Sequence, residues 1–160
     1  MSHNNIKIKE VKYANSMLIP NIIKMLEEGH TVTLKLRGYS MRPYLEDNRD
    51  KALIRKIMNP KSGDIVLAEI KPQIYVIHRI IKINGDNITL RGDGNLNNEY
   101  CKRKDLKGYV VGFYRKGRNK LEKTNEIRWI IYSITWHLLF PVRRYLLFIY
   151  RKICLKTQKQ

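Results

Sequence analysis

The period of the apolar positions changes along the chain. Between residues 14 and 28, Met17, Leu18, Ile22, Met25 and Leu26 fall mostly on one face of a 3.6-residue repeat, and Gly29 follows as a stop. This predicts a short helix, and Pro20 either weakens it or marks its true start. From Thr31 the period becomes two. Val32, Leu34 and Leu36 alternate with Thr31, Thr33, Lys35 and Arg37, which predicts a half-buried strand that ends at Gly38. Short β-like runs recur at Lys51–Arg55, Asp64–Glu69, Ile74–Ile83, Asn87–Arg91 and Lys107–Tyr114. Lys61-Ser62-Gly63 turns the chain into the second of these. Asn84-Gly85-Asp86 is a hairpin signal, because Asn and Gly tolerate positive φ, and Gly92-Asp93-Gly94-Asn95 makes a second tight turn. Short strands with turns about every ten residues predict a mainly β chain folded as a barrel or bent sheet.

The pattern changes again beyond residue 115. Residues 115–126 read as a polar, basic linker. Trp129–Phe140 is uncharged, Pro141 interrupts it, Arg143 and Arg144 follow, and Tyr145–Tyr150 is apolar once more. A spanning helix needs ~20 predominantly apolar residues. Trp129–Tyr150 reaches that length only with both arginines inside it, each costing about 2.5–3.5 kcal/mol near mid-membrane. Two short amphipathic helices lying at a membrane interface fit better. A helical hairpin packed on this domain or on a partner is the other arrangement open to it. The chain thus divides into an N-terminal extension with a short helix (1–30), a β domain (31–115) and a basic linker with an apolar, aromatic helical tail (116–160).

Charge sharpens this division. The 160 residues carry 32 Lys and Arg against 14 Asp and Glu, a net +18. Residues 1–101 hold 16 basic and 11 acidic groups, whereas residues 102–160 hold 16 and 3. A balanced domain followed by a cationic tail suits a membrane surface or another anionic partner, and an anionic membrane contacted peripherally through residues 127–152 is the expectation. No helix-turn-helix, zinc spacing or aromatic RNA motif accompanies the charge, so no specific nucleic acid is expected. Cys101 and Cys154 are too few and too far apart for a metal site or a disulfide scaffold, though a single body-to-tail pairing is open to them. Met1–Glu10 has no apolar core, so neither a secretory signal nor an N-terminal anchor is expected.

Four segments carry candidate chemistry: Gly38-Tyr39-Ser40-Met41-Arg42-Pro43, Gly63-Asp64-Ile65-Val66-Leu67, Tyr75-Val76-Ile77-His78-Arg79-Ile80 and Arg91-Gly92-Asp93-Gly94-Asn95. Ser40 follows a strand end, and Gly38 permits a sharp turn that exposes the hydroxyl and turns N–H groups outward. A hydroxyl needs an adjacent base before it attacks a carbonyl, and outward N–H groups can stabilise the oxyanion that forms. Taken singly, Ser40 reads as a turn serine, His78 as a core histidine and Asp93 as a turn residue flanked by glycines.

In this order, over roughly residues 31–115, the four segments resemble the catalytic boxes of type I signal peptidases. More distantly, they resemble the self-cleaving domains of SOS-type repressors. The resemblance implies a folded β-sheet barrel and a serine endopeptidase in which Ser40 is the nucleophile, His78 the general base and Asp93 the group that orients His78. The commonest bacterial enzymes have lysine at the base position. The endoplasmic-reticulum, archaeal and some sporulation types have histidine followed by Arg-Ile, as His78-Arg79-Ile80 is here. Histidine suits the role, because its ordinary pKa of ~6.5 leaves it neutral near pH 7 without the desolvation that lysine needs. Lys71 and Lys82 are the fallback bases, and Asp50 and Asp64 read as structural. The resemblance implies no metal or organic cofactor. Its substrate is an extended leader or signal peptide with small residues before the scissile bond, paired in β fashion. Val32–Leu36 and Tyr75–Ile77 are the candidate walls of that groove. The chain departs from the common bacterial pattern in having Gly38 where a serine often completes the oxyanion hole, and the usual N-terminal anchor is not expected from Met1–Glu10. The alternatives are a catalytically inactive peptide-binding module of the same fold, or a basic nucleic-acid-binding protein.

Overall fold

The computed structural model describes the backbone of residues 15–157 and the side chains of residues 18–153. The polar N-terminal decapeptide and the Cys154 thiol lie outside the described residues. The element order is α1 (Asn15–Glu27), β1 (Val32–Lys35), β2 (Lys51–Arg55), β3 (Ile65–Lys71), β4 (Ile74–Asn84), β5 (Asn87–Arg91), β6 (Glu99–Lys102), β7 (Leu106–Tyr114), β8 (Leu121–Lys123), α2 (Ile127–Leu138) and α3 (Arg143–Thr157). The strands form one antiparallel sheet ordered β1-β2-β7-β3-β4-β5-β6, with β8 added to β7. The mainly β class expected from the period-two runs is the class observed.

Two strands change neighbours along their length, and this bends the sheet. β7 pairs with β3 through Leu106–Tyr109 and then with β8 through Gly112–Tyr114. β4 pairs with β3 over Ile74–Arg79 and with β5 over Arg79–Asn84. The folded sheet buries both faces of β3. Ile65 and Leu67 enter a core with Ile19, Ile22 and Leu26 of α1 and with Phe113 and Trp129. Val66 and Ala68 enter a second core with Ile80, Ile88 and Leu90. A strand buried on both faces reads as a continuous apolar run, as Ile65–Ala68 does. Gly108 lets α1 lie on the sheet, since a Cβ there would stand 2.5 Å from Ile54 Cγ2 and 3.0 Å from Leu26 Cδ1. Pro20 sits inside α1, on its exposed side, rather than at its start.

The tail departs from its expectation in one respect, and in a second it takes the packing on this domain that was the other arrangement open to it. The segment read as a linker contains β8, whose residues Leu121–Lys123 pair with Tyr114–Gly112. One face of α2 is also an integral part of the domain. Trp129 packs in the main core against Phe113, Tyr44 and Tyr132, and Trp136 is also buried. The opposite face leaves Ile131, Ile134 and Leu138 exposed, and α3 exposes Tyr145, Phe148, Ile149 and Ile153. Among the described residues no helix is long and apolar enough to cross a membrane.

Candidate active site

Ser40 stands on the loop between β1 and β2. Gly38 takes φ +86° and donates its N–H to Asp47 Oδ1 at 2.7 Å, which turns the chain out of β1. Arg42 closes the next turn by donating its N–H to the Tyr39 carbonyl. Asp50 fastens the loop's far end. Its carboxylate accepts from the Arg49 guanidinium and from the N–H groups of Glu46 and Lys116. Burial alone would raise the Asp50 pKa, but these donors together hold it below the ordinary carboxylate value. Among the described residues, neither the N–H nor the Oγ of Ser40 has a hydrogen-bond partner.

The turn after β5 presses against this loop. Gly94 donates its N–H to the Ser40 carbonyl at 2.7 Å. A Cβ at Gly92 would lie 2.3 Å from the Ser40 carbonyl oxygen and 3.0 Å from His78 Nε2. Gly92 is thus the spacer between the serine loop and the imidazole. Close approach, not positive φ, is what requires glycine there.

His78 is 2% exposed, in the middle of β4. Its Nδ1 lies 2.5 Å from Glu99 Oε2, at the start of β6. That bond leaves Nε2 as the nitrogen directed toward Gly92 and the Ser40 loop. Burial lowers the His78 pKa below the ordinary histidine value, and the negative charges of Glu99 and Asp93 oppose the shift without reversing it. The imidazole is therefore neutral near pH 7.

Asp93 does not hold His78. Its carboxylate forms a two-point pair with Arg79, Nε to Oδ1 at 2.9 Å and Nη2 to Oδ2 at 2.8 Å. It also accepts from the Tyr132 hydroxyl at 3.0 Å, while its backbone carbonyl accepts from Trp136 Nε1 at 2.8 Å. Burial keeps the Tyr132 phenol protonated far above its ordinary range, so it remains a donor. Arg79 further donates to Ser133 Oγ and the Gly63 carbonyl. The contact expected between Asp93 and His78 is thus corrected. The turn aims Asp93 at the tail helix and Arg79, and Glu99 supplies the carboxylate at Nδ1. Asp64 stays structural, accepting the Lys61 N–H at 2.8 Å. Lys71 and Lys82 are exposed on the strands. Cys101 is half-buried, and burial pushes its thiol up to about 11.

A groove of 390 Å³ leads to Ser40, walled by Leu34–Arg37 on one side and Gln73–Ile77 on the other. Among the described residues β1 ends the sheet and pairs only with β2, and β5 joins β4 only from Arg79 onward. Both walls therefore present strand edges that lack a ladder partner. Ile19, Met41, Leu45 and Leu67 make the floor apolar.

A family model described as Peptidase S24-like matches residues 2–110. The chain belongs to this family. The S24-like group takes in self-cleaving proteins of the SOS-repressor type and serine peptidases like signal peptidase I, so the fold is that of a serine peptidase. The matched span contains Ser40, His78, Asp93 and Glu99 and ends within β7, before β8 and the tail helices. Among curated proteins none matches significantly. Sequence reasoning missed Glu99 because the Asn-rich stretch before it reads as loop and β6 has no apolar run.

Proposed function

We propose that this S24-like chain is a serine endopeptidase of the signal-peptidase type, working through Ser40, His78 and Glu99. The observation that carries the reading is the meeting of the Ser40 loop and His78 Nε2 across Gly92, with Nδ1 held by Glu99, at the end of a groove with two open strand edges. Ser40 Oγ attacks the scissile carbonyl as His78 Nε2 takes its proton. The Ser40 N–H donates to the oxyanion. His78 then protonates the leaving amine, and water hydrolyses the acyl-enzyme by the same route in reverse. Glu99 fixes the tautomer and stabilises the imidazolium. Asp93 contributes its charge from a greater distance, and its main work is to hold the turn. A leader or signal peptide with small residues before the scissile bond lies extended between the two groove walls, pairing with both edges.

Ser40→Ala and His78→Ala are each expected to remove nearly all cleavage of a leader peptide, and their effects do not multiply, because the pair works as one unit. Full activity of either variant overturns the assignment, and that of Ser40→Ala overturns the peptidase reading itself. The kcat/KM of the native chain is expected to fall on the acid side with an apparent pKa below ~6.5, since burial disfavours the imidazolium. Glu99→Gln removes a charge that raises the His78 pKa, so its acid limb moves to still lower pH while its plateau rate falls. An acid limb that stays in place in Glu99→Gln contradicts the positioning role.

We also propose that the outer faces of α2 and α3 rest on an anionic membrane. Exposed Ile131, Ile134, Phe148 and Ile149, with Arg144, Arg151 and Lys152 beside them, support this reading. Deleting the tail is a poor test, because Trp129 and Trp136 would leave the domain with it. Ile131→Ser with Phe148→Ser is expected to lower sedimentation with phosphatidylglycerol vesicles and leave cleavage of a soluble peptide unchanged. Undiminished vesicle binding contradicts the proposal.

A further inference from the structure

Three arginines lie buried around a single carboxylate. Arg79 is matched by Asp93. Arg91, the last residue of β5, and Arg143, the first of α3, are 6% and 2% exposed and have no such match. Arg91 Nη1 reaches the Asn98 side-chain oxygen at a long 3.4 Å, and Arg143 Nη2 donates to the Trp136 carbonyl. Among the described residues the Nε of each is buried without an acceptor. The two guanidinium groups share one aromatic ring, lying 3.9 Å and 5.3 Å from the Phe140 centroid. Burial and mutual repulsion lower the Arg143 pKa, and burial lowers that of Arg91, while Asp93, already engaged by Arg79 and Tyr132, opposes both shifts.

Two buried cations that share a carboxylate already engaged by a third are strongly unfavourable. Stacking on Phe140 offsets part of this and leaves the Nε–H donors unused. We propose that Arg91 and Arg143 form a binding site for a phosphate group, walled by Phe140. Guanidinium forks match the oxygens of a phosphate in charge and geometry. The site lies at the bend between α2 and α3, where Leu138, Phe140 and Val142 are exposed on the apolar outer face. The phosphate comes either from solution or from a phospholipid headgroup whose acyl chains follow that face. The second source rests on the membrane reading of the tail, and neither depends on the peptidase reading.

The test melts the full chain against inorganic phosphate at ionic strength held constant with chloride. It then measures retention on phosphatidylglycerol vesicles in about 0.5 M salt, where exposed charges are screened. A free-phosphate site gives a saturable rise in Tm of roughly 5–10 °C at about a hundredfold excess over Kd, and Arg91→Met with Arg143→Met abolishes it. A headgroup site gives no such rise. Instead, vesicle affinity falls about tenfold in the double Met variant and holds in Lys82→Gln with Lys104→Gln, which removes equal charge from exposed positions of the β sheet domain. If the double variant does not fold, Arg143→Met alone is read in the same way. A native chain that responds to neither probe overturns the site, as does a response that the Met variants share. Peptide cleavage measured on the same samples reports separately on Ser40 and His78.

Discussion

Alanine at Gly92 is expected to abolish peptide cleavage, although position 92 carries no chemistry of its own. The added Cβ would stand 2.3 Å from the Ser40 carbonyl oxygen, a backbone atom with nowhere to rotate, and 3.0 Å from His78 Nε2. The serine loop must therefore move away from the imidazole. A displacement of about 1 Å in a catalytic pair costs roughly a hundredfold in rate, and overpacking costs about 1–3 kcal/mol of stability. A kcat/KM at least a hundredfold down in a chain with native circular dichroism is the expected result. Native turnover in Gly92→Ala contradicts the arrangement. Gly94→Ala meets a similar obstacle, 2.6 Å from the Tyr39 carbonyl.

Asp93→Asn is expected to act on folding before it acts on catalysis. A residue that only oriented the base would lose rate and keep stability. Asp93 and Arg79 are instead both buried and joined at two points, and the Tyr132 hydroxyl completes the carboxylate's bonding. Breaking a buried pair from one side leaves the arginine uncompensated and costs about 3–5 kcal/mol. The same change loosens α2, whose Tyr132 and Trp136 are hydrogen-bonded to Asp93. Urea denaturation should show a lowered midpoint of that size, with Tyr132→Phe losing only about 1–2 kcal/mol. An Asp93→Asn chain of native stability and low turnover would restore the orienting role to Asp93 and contradict its role as a latch on α2.

The strands with period-two or continuous apolar runs were legible in the sequence, because burying one or both faces of a sheet leaves that mark. β6 and β8 were not legible. Glu99–Lys102 and Leu121–Lys123 are short, polar pieces held in place by their neighbours' ladders, not by apolar faces of their own. With β6 went Glu99. The Ser40, His78 and Asp93 boxes could be found, since each sits at a strand or turn with its own signature. Which carboxylate touches which cation could not be found, because that depends on the turn after β5 tilting toward a helix some forty residues later. Trp129, Tyr132 and Trp136 do form a helical stripe. Ile127, Ile130, Ile131 and Ile134 make the other face of α2 equally apolar, so periodicity alone could not say which face the domain covers.

In the proposed reaction Ser40 becomes acylated with His78 as its base. The most direct measurement treats the full chain with a fluorophosphonate, which phosphonylates activated serines with loss of fluoride, and locates the adduct by peptide mass spectrometry. One adduct at Ser40, formed quickly in the native chain, is the expected result. His78→Ala makes it far slower, and its rate falls below neutral pH as the imidazole protonates. An adduct on another serine, or labelling of Ser40 at an undiminished rate in His78→Ala, would contradict it.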